Sequence, residues 1–325
     1  MNTDIHLPIC QPTIIRMHPA ALVSPFFFTI SISDKMKSGA LLRSTIRSSK
    51  EDRQFLLQIP AVPVRKVRRY LVTDADSQEA AIQVLQDASG LSSVDILVDF
   101  LRIYDVLHPM QDIMQYMREY FSPDRSEYFS EALSLISLGL HRVFRSEMRV
   151  ISLGIDLSLK SDISLLHRHF SLFGDAAVMG MAHEQQPVYR YILREYRKLN
   201  PGTKCGEAPG KGFPGFNSGV VLLDLGRIRS STFYQSFLRE QAVKKLTAKY
   251  FSSGHLGDQG FYTLLYCEHP ELFYVLPCAW NRQLCQWWKD NGYGSVLNDY
   301  HNCTGEVHVY HYNCNLPIPG KHLED

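Results

Sequence analysis

Short apolar runs recur along the chain at residues 26–32, 69–73 (RYLVT), 94–100 (VDILVDF), 150–156, 177–181 and 219–223 (GVVLL). Each has the length and the aliphatic content of a buried strand. Between several of them, residues 77–88 and 110–121 among others, apolar positions recur at helical spacing, and 131–143 (EALSLISLGLHRV) is apolar enough to predict a buried helix. The alternation predicts an α/β protein with a central, mostly parallel sheet, whose ligands sit at the carboxyl ends of the strands. No linker rich in Pro or Gly, internal repeat or low-complexity block divides the chain, so one domain is expected over 24–325, with 1–23 as a poorly specified arm.

Composition narrows the picture without changing it. The chain has 325 residues, is 45% hydrophobic and 21% charged and carries a formal net charge of +1, which excludes a disordered chain. Lys and Arg are spread evenly rather than gathered into a basic face, so no nucleic-acid partner is expected. The longest apolar run near the start, 20–32, is broken by Ser24 and Pro25, is too short to span a bilayer and lacks a basic flank. From it, the chain as given is expected to carry no anchor.

Cysteine changes the expected compartment. Four of the seven cysteines, Cys278, Cys285, Cys303 and Cys314, fall in the last fifth of the chain at spacings that do not suit a zinc site. Two disulfides stapling the C-terminal region are expected, although four unrelated buried thiols are also compatible with the spacing. Of the three connectivities, Cys278 with Cys303 and Cys285 with Cys314 is preferred. The triplet NCT at 302–304 is an N-glycosylation acceptor and agrees with an oxidising compartment.

Candidate chemistry lies where the apolar runs stop. The run VISLGID ends on Asp156, two residues after Gly154. A carboxylate there either faces a cationic ligand or caps the next element, and the stretch alone leaves both open. FPGFNSGVVLLDL (213–225) places Asn217 and Ser218 where they can hydrogen-bond a polar ligand, though it also reads as a tight turn. SSGHLGDQGFYTLL (252–265) puts His255, Asp258 and Gln259 before an apolar helix, where Asp258 could be no more than an N-cap. VHVYHYNCNLPIP (307–319) alternates like a strand and runs into His311, Asn313 and Asn315.

These motifs resemble a known family. QPVYR (186–190), PGFNSGV (214–220), GHLGDQ (254–259), HPELF (269–273), WNRQLCQWW (280–288) and YHYNCNLPIP (310–319) are similar, in this order, to the xyloside xylosyltransferases. The resemblance covers about 128–319, and more loosely the part from Phe26 through FFFT and YLVTD. It implies a single GT-A, Rossmann-like glycosyltransferase domain and a retaining α1,3-xylosyltransferase that uses UDP-xylose. The implied acceptor is an O-linked xylose–glucose disaccharide on EGF-like repeats such as those of Notch. The implied setting is the endoplasmic reticulum, with membrane attachment and the catalytic domain in the lumen.

The resemblance also implies a site. An Asp-x-Asp at the end of a central strand and a late histidine hold Mn²⁺ against the donor diphosphate. Asp156 and His311 match two of these ligands, whereas Gly154 stands where the first Asp is expected, and Asp162 lies too far on to replace it. Gln259 is implied beside the anomeric carbon and Asp258 as an acceptor for sugar hydroxyls, both counted as catalytic. Phe28, Thr29, Asn217, Ser218 and Asn313 are implied donor contacts. Trp280, Trp287 and Trp288 could offer a face to the acceptor, although at least one is expected to anchor the disulfide region instead. The loss at Gly154 keeps two alternatives open: a weak or inactive relative that binds EGF-like repeats, and a related transferase using another UDP-sugar.

Overall fold

Nine consecutive buried residues, Phe216–Asp224, form the strand about which the fold is arranged. The computed structural model describes residues 27–31, 41–43, 68–73, 78, 82, 98–122, 133–154, 156–252, 256–314 and 316. Eleven strands are found among them: β1 (Phe27–Ser31), β2 (Leu41–Arg43), β3 (Arg68–Thr73), β4 (Val98–Arg102), β5 (Arg149–Gly154), β6 (Leu157–Leu159), β7 (Met179–His183), β8 (Phe216–Asp224), β9 (Phe273–Leu276), β10 (Arg282–Gln283) and β11 (Val309–His311). Eight of them make one sheet in the order β4-β3-β2-β1-β5-β8-β7-β9, and a small sheet β10-β11-β6 stands apart from it.

The α/β class and the central sheet agree with the sequence pattern, but the strand directions do not. The sheet is mixed: β2–β3, β3–β4 and β7–β9 are parallel, whereas β1 is antiparallel to β2, β3 and β5, and β8 is antiparallel to both β5 and β7. The reason is that a continuous apolar run reports burial on both faces, not direction. Along β8, Val221 and Leu223 enter one core cluster with Tyr262 and Phe261, while Val220 and Leu222 enter the other with Leu166 and Trp280. Period-two alternation thus feeds two apolar layers, and neither face needs polar residues.

The run 110–121 forms the helix Gln111–Phe121, which buries Ile113, Met114, Met117 and Phe121. Of 131–143, residues 133–143 are described; most of them are buried, but they do not form one helix: a turn at Ser134 and Leu135 leads into a 3₁₀ turn, Ile136–Gly139, and then the short helix Leu140–Val143. The carbonyl of Ser134 accepts from the Asp258 backbone N–H at 2.8 Å, a contact that ties this turn to the start of a distant helix. Most of 77–88, and all of the 1–23 arm, lie outside the described residues.

Three disulfides close the C-terminal half. Cys278–Cys303 and Cys285–Cys314 have Cα–Cα distances of 5.8 and 5.6 Å and match the preferred pairing. A third, Cys205–Cys267, joins residues 62 apart and has no counterpart among the expected bridges. It pins the helix Asp258–Glu268 to the loop leading into β8.

Candidate functional site

The site forms where β5 ends, and local backbone rules decide how. The strand stops at Gly154, and after one further residue the Asp156 carbonyl accepts from the Tyr312 N–H at 2.8 Å, while Leu157 pairs with His311 in the β6–β11 ladder. This brings residues 155 apart in sequence into contact: His311 Nε2 lies 3.1 Å from Asp156 Oδ2. Asp156 therefore does not cap a helix. That role falls to Asp162, whose carboxylate accepts from the Ser164 N–H at 2.7 Å at the start of the helix Ile163–Arg168, so Asp162 is spent on the next element as expected.

Burial raises the cost of charge on Asp156, but the neighbouring His311 outweighs it through charge and hydrogen bond, and the carboxyl is held below its ordinary range. Its partner is tightly framed. His311 is 6% exposed, and a β-carbon added at Gly219 on β8 would fall 2.5 Å from His311 Cε1. At Gly154 an added β-carbon would lie 2.7 Å from Asp156 Oδ1 and 3.7 Å from the Gly219 carbonyl, so a side chain at 154 would share the space Asp156 now occupies.

Behind His311 runs a buried polar chain. His311 Nδ1 lies 3.0 Å from Asn281 Oδ1, and Asn281 Nδ2 donates to Asn217 Oδ1 at 2.9 Å. Asn217 Nδ2 donates to Glu184 Oε2 at 3.1 Å, and Glu184 Oε1 accepts from the Gln186 N–H at 3.0 Å. Burial pushes the Glu184 carboxyl up to about 7, against the lowering pull of Asn217. The Asn217 side chain, expected to touch donor sugar, thus spends both its oxygen and one amide hydrogen inside this chain.

On the next residue, the Ser218 N–H and Oγ donate to Gln259 Oε1 at 3.2 and 3.5 Å. The turn before Gln259 relies on Gly257, whose φ of +61° suits glycine and where a β-carbon would sit 2.5 Å from the Ser134 carbonyl. Asp258 is not the N-cap of its helix; it is the first helical residue, 1% exposed, and accepts from the Ser137 hydroxyl, which also bonds Tyr262 at 2.8 Å. His255 and Asn315 lie outside the described residues.

The remaining candidates scatter. β1 runs beside β5 with Phe27 opposite Gly154, Phe28 opposite Leu153 and Thr29 opposite Ser152, so the start of β1 is at the site's edge. Asn313 turns its side-chain oxygen onto the N–H groups of Leu284 and Cys285 at 3.2 and 2.9 Å and so braces the disulfide loop. Trp280 is 4% exposed and packs 4.4 Å from the His308 ring, which makes it a core residue and corrects its assignment to an acceptor face. Trp287, at 38% exposure, stands edge-on to Trp288, and Trp288 in turn meets Tyr191 and Tyr293. The aromatic face thus holds two tryptophans.

Glu184 and Asn281 went unrecognised in the sequence. The signal for the first was present in Glu184-Gln185-Gln186, three polar residues directly after an apolar strand, all at most 3% exposed.

Comparison with known proteins follows this geometry. No protein-family model matches the chain. It is 42% identical over 255 residues to mouse xyloside xylosyltransferase 1, covering 77% of this chain and 64% of that protein, and 38% identical over 288 residues to the human protein of the same name, covering 87% and 70%. The chain thus spans about two thirds of the length of these curated relatives. The crystal structure of the mouse protein in its apo form superposes with a TM-score of 0.77 at 36% identity, covering 85% of this chain and 97% of that one.

Proposed function

The chain belongs to the xyloside xylosyltransferase family, and from that membership we propose that it is a retaining α1,3-xylosyltransferase, moving xylose from UDP-xylose onto an O-linked xylose–glucose disaccharide on EGF-like repeats such as those of Notch. One observation carries the reading: Asp156 and His311 converge at the end of β5 while Gln259 is bonded to Ser218 on the adjoining strand. That arrangement supports reading a cation site beside a polar sugar site.

The donor set fits a divalent cation such as Mn²⁺. Asp156 Oδ2 and His311 Nε2 are both able to ligate and face each other, although no group of three or more ligating residues occurs among the described residues. When bound there, the cation would neutralise charge on the departing diphosphate. Asp156 and His311 hold the diphosphate end, and Ser218 orients the Gln259 amide at the sugar. Asp258, bonded to Ser137, keeps the helix start that carries Gln259 in place. The bond from C1 to the UDP oxygen breaks, the acceptor oxygen bonds C1 on the same face, and the acceptor proton leaves with the phosphate oxygen. A double displacement would need a carboxylate at C1, and Asp258 is the one to test.

Gly154 favours a second reading, a catalytically weak family member that chiefly binds EGF-like repeats, because among the described residues the cation keeps two protein ligands, Asp156 and His311. A third keeps the chemistry with another UDP-sugar. The setting we propose is the lumen of the endoplasmic reticulum with attachment to its membrane. Three disulfides and the exposed acceptor Asn302 support that compartment. No described helix is long and apolar enough to cross a membrane. Isothermal titration with UDP-xylose and UDP-glucose, with and without Mn²⁺, separates the readings. Metal-dependent binding that favours UDP-xylose supports the transferase; no metal-dependent binding supports the binding module; preference for the hexose supports the third reading.

A further inference from the structure

The triplet Asn302-Cys303-Thr304 follows the last turn of the helix Gly294–His301. The helix stops where Asn302 leaves helical geometry, at φ −68° and ψ 124°, and Arg282 Nη1 donates to the His301 carbonyl just before it. Exposure then alternates: Asn302 and Thr304 are exposed, and Cys303 between them is half-buried and bonded to Cys278. That is the placement of an extended segment, in which neighbouring side chains face opposite ways. Neither the Asn302 amide nor the Thr304 hydroxyl has a hydrogen-bond partner among the described residues. At Gly305, which turns the chain away with φ +97°, an added β-carbon would meet no atom within 4 Å, so the space beside the triplet is open. An asparagine-linked glycan requires an amide to carry it and a hydroxyl two residues on. Here both stand free on one side while the residue between them is tied down.

We propose that Asn302 carries an N-linked glycan, and that the glycan is attached before the Cys278–Cys303 bond closes. In the transfer, Asn302 Nδ2 gives up a proton and bonds C1 of an N-acetylglucosamine. The bond from C1 to the diphosphate oxygen of a lipid-linked oligosaccharide breaks, and the lipid diphosphate leaves with the electron pair. The enzyme that performs this step must draw amide and hydroxyl together into its own pocket, which requires chain that is free to follow. In the closed protein the triplet is held from both sides, by Arg282 at His301 and by the disulfide at Cys303. Before closure neither restraint exists. Cys278 lies 25 residues ahead of Cys303, so its thiol is already present when the triplet is made, and closure competes with glycan transfer from that moment. The glycan then sits in solvent and does not oppose the fold. Asn302 stands about 12 Å along the helix axis from Gly294, at the opposite end from Tyr293 and the paired tryptophans. The inference rests on the lumenal setting proposed above, where the lipid-linked oligosaccharide is offered.

Two measurements test it, and neither depends on transferase activity of this chain. For the site, the full chain is directed to the lumen of cultured cells by a fused signal peptide, and its peptides are analysed by mass spectrometry after peptide-N-glycosidase F in H₂¹⁸O. That treatment leaves ¹⁸O-labelled aspartate where a glycan stood. Label in place of Asn302, lost in Thr304→Val, is the expected result, and its absence from the parent overturns the site. Because the signal peptide imposes the compartment, such a failure is distinct from failure of the proposed setting, which is read by fractionating cells that make the chain without the fusion. For the order of events, unglycosylated oxidised parent and Cys278→Ser are each given to purified oligosaccharyltransferase with a lipid-linked oligosaccharide. Cys278→Ser leaves the triplet unchanged and keeps Cys303 from closing on its partner. It should be modified, folded or not, and the oxidised parent should remain unmodified. Equal modification of the two, including none of either, overturns the order.

Discussion

Gly219 and His311 are in contact without room for a β-carbon between them: one built at Gly219 would lie 2.5 Å from His311 Cε1 and 2.6 Å from Nδ1. The glycine in the middle of β8 is therefore a seat for the imidazole rather than a hinge. Gly219→Ala must push the ring off Asn281 or off Asp156. The overpacking should cost about 1–3 kcal/mol of stability. Displacement of His311 by about 1 Å should lower transfer on the order of a hundredfold. Thermal unfolding and a transfer assay read the two effects, and parent-level transfer in a folded variant would show that His311 is not held where its contacts place it.

Restoring a carboxylate by Gly154→Asp sets two like charges in one space, since the new β-carbon would start 2.7 Å from Asp156 Oδ1. In the absence of metal the variant should be less stable than the parent. With Mn²⁺ it should gain more than the parent, about 2.7 kcal/mol in total when free metal is a hundredfold above the variant's own dissociation constant. Equal Mn²⁺-induced shifts in Tm for parent and variant would contradict a cation at this position.

His183 should make the fold acid-labile. Its ring meets Phe213 and Phe216, its Nε2 has no hydrogen-bond partner among the described residues, and burial lowers it from 6.5 to about 4. The folded state keeps the ring neutral while the unfolded chain takes up a proton. The stability it contributes is therefore complete above the ordinary histidine range and is lost as pH falls from there to about 4. The loss should reach up to about 3 kcal/mol. His183→Leu should flatten this part of the pH–stability curve, and an unchanged acid limb in chemical denaturation would refute it.

The two ends of WNRQLCQWW should behave differently. Trp280→Ala removes a buried ring and should cost about 3–5 kcal/mol. Trp287→Ala, at an exposed position, should leave Tm unchanged and raise KM for the glycan acceptor without raising KM for the donor. A rise in donor KM alone would place Trp287 outside the acceptor face.

What the sequence made legible was periodicity and local chemistry. The runs at 150–156 and 219–223 became β5 and β8, and the acid after the first of them met the late histidine. Strand direction was hidden, because β8 is buried on both faces and reads the same in a parallel or an antiparallel ladder. The break in 131–143 was hidden too, since the turn there is tied to a distant segment by the Asp258 N–H bonded to the Ser134 carbonyl, a contact no local pattern carries. Asn217 was recognised as polar and well placed, but its occupation by Glu184 and Asn281 is a long-range fact that no local pattern carries. Cys205–Cys267 escaped for the same reason: it joins residues 62 apart, outside the cysteine-dense tail where bridges were sought.

The central claim is tested most directly by offering UDP-xylose, with and without Mn²⁺, to an EGF-like repeat that carries xylose–glucose, using the parent chain and Gln259→Ala side by side. The account predicts Mn²⁺-dependent addition of one α1,3-linked xylose by the parent, and a loss on the order of a hundredfold or more when the amide bonded to Ser218 is removed. Absence of xylose transfer by the parent under conditions where it binds the repeat would contradict it.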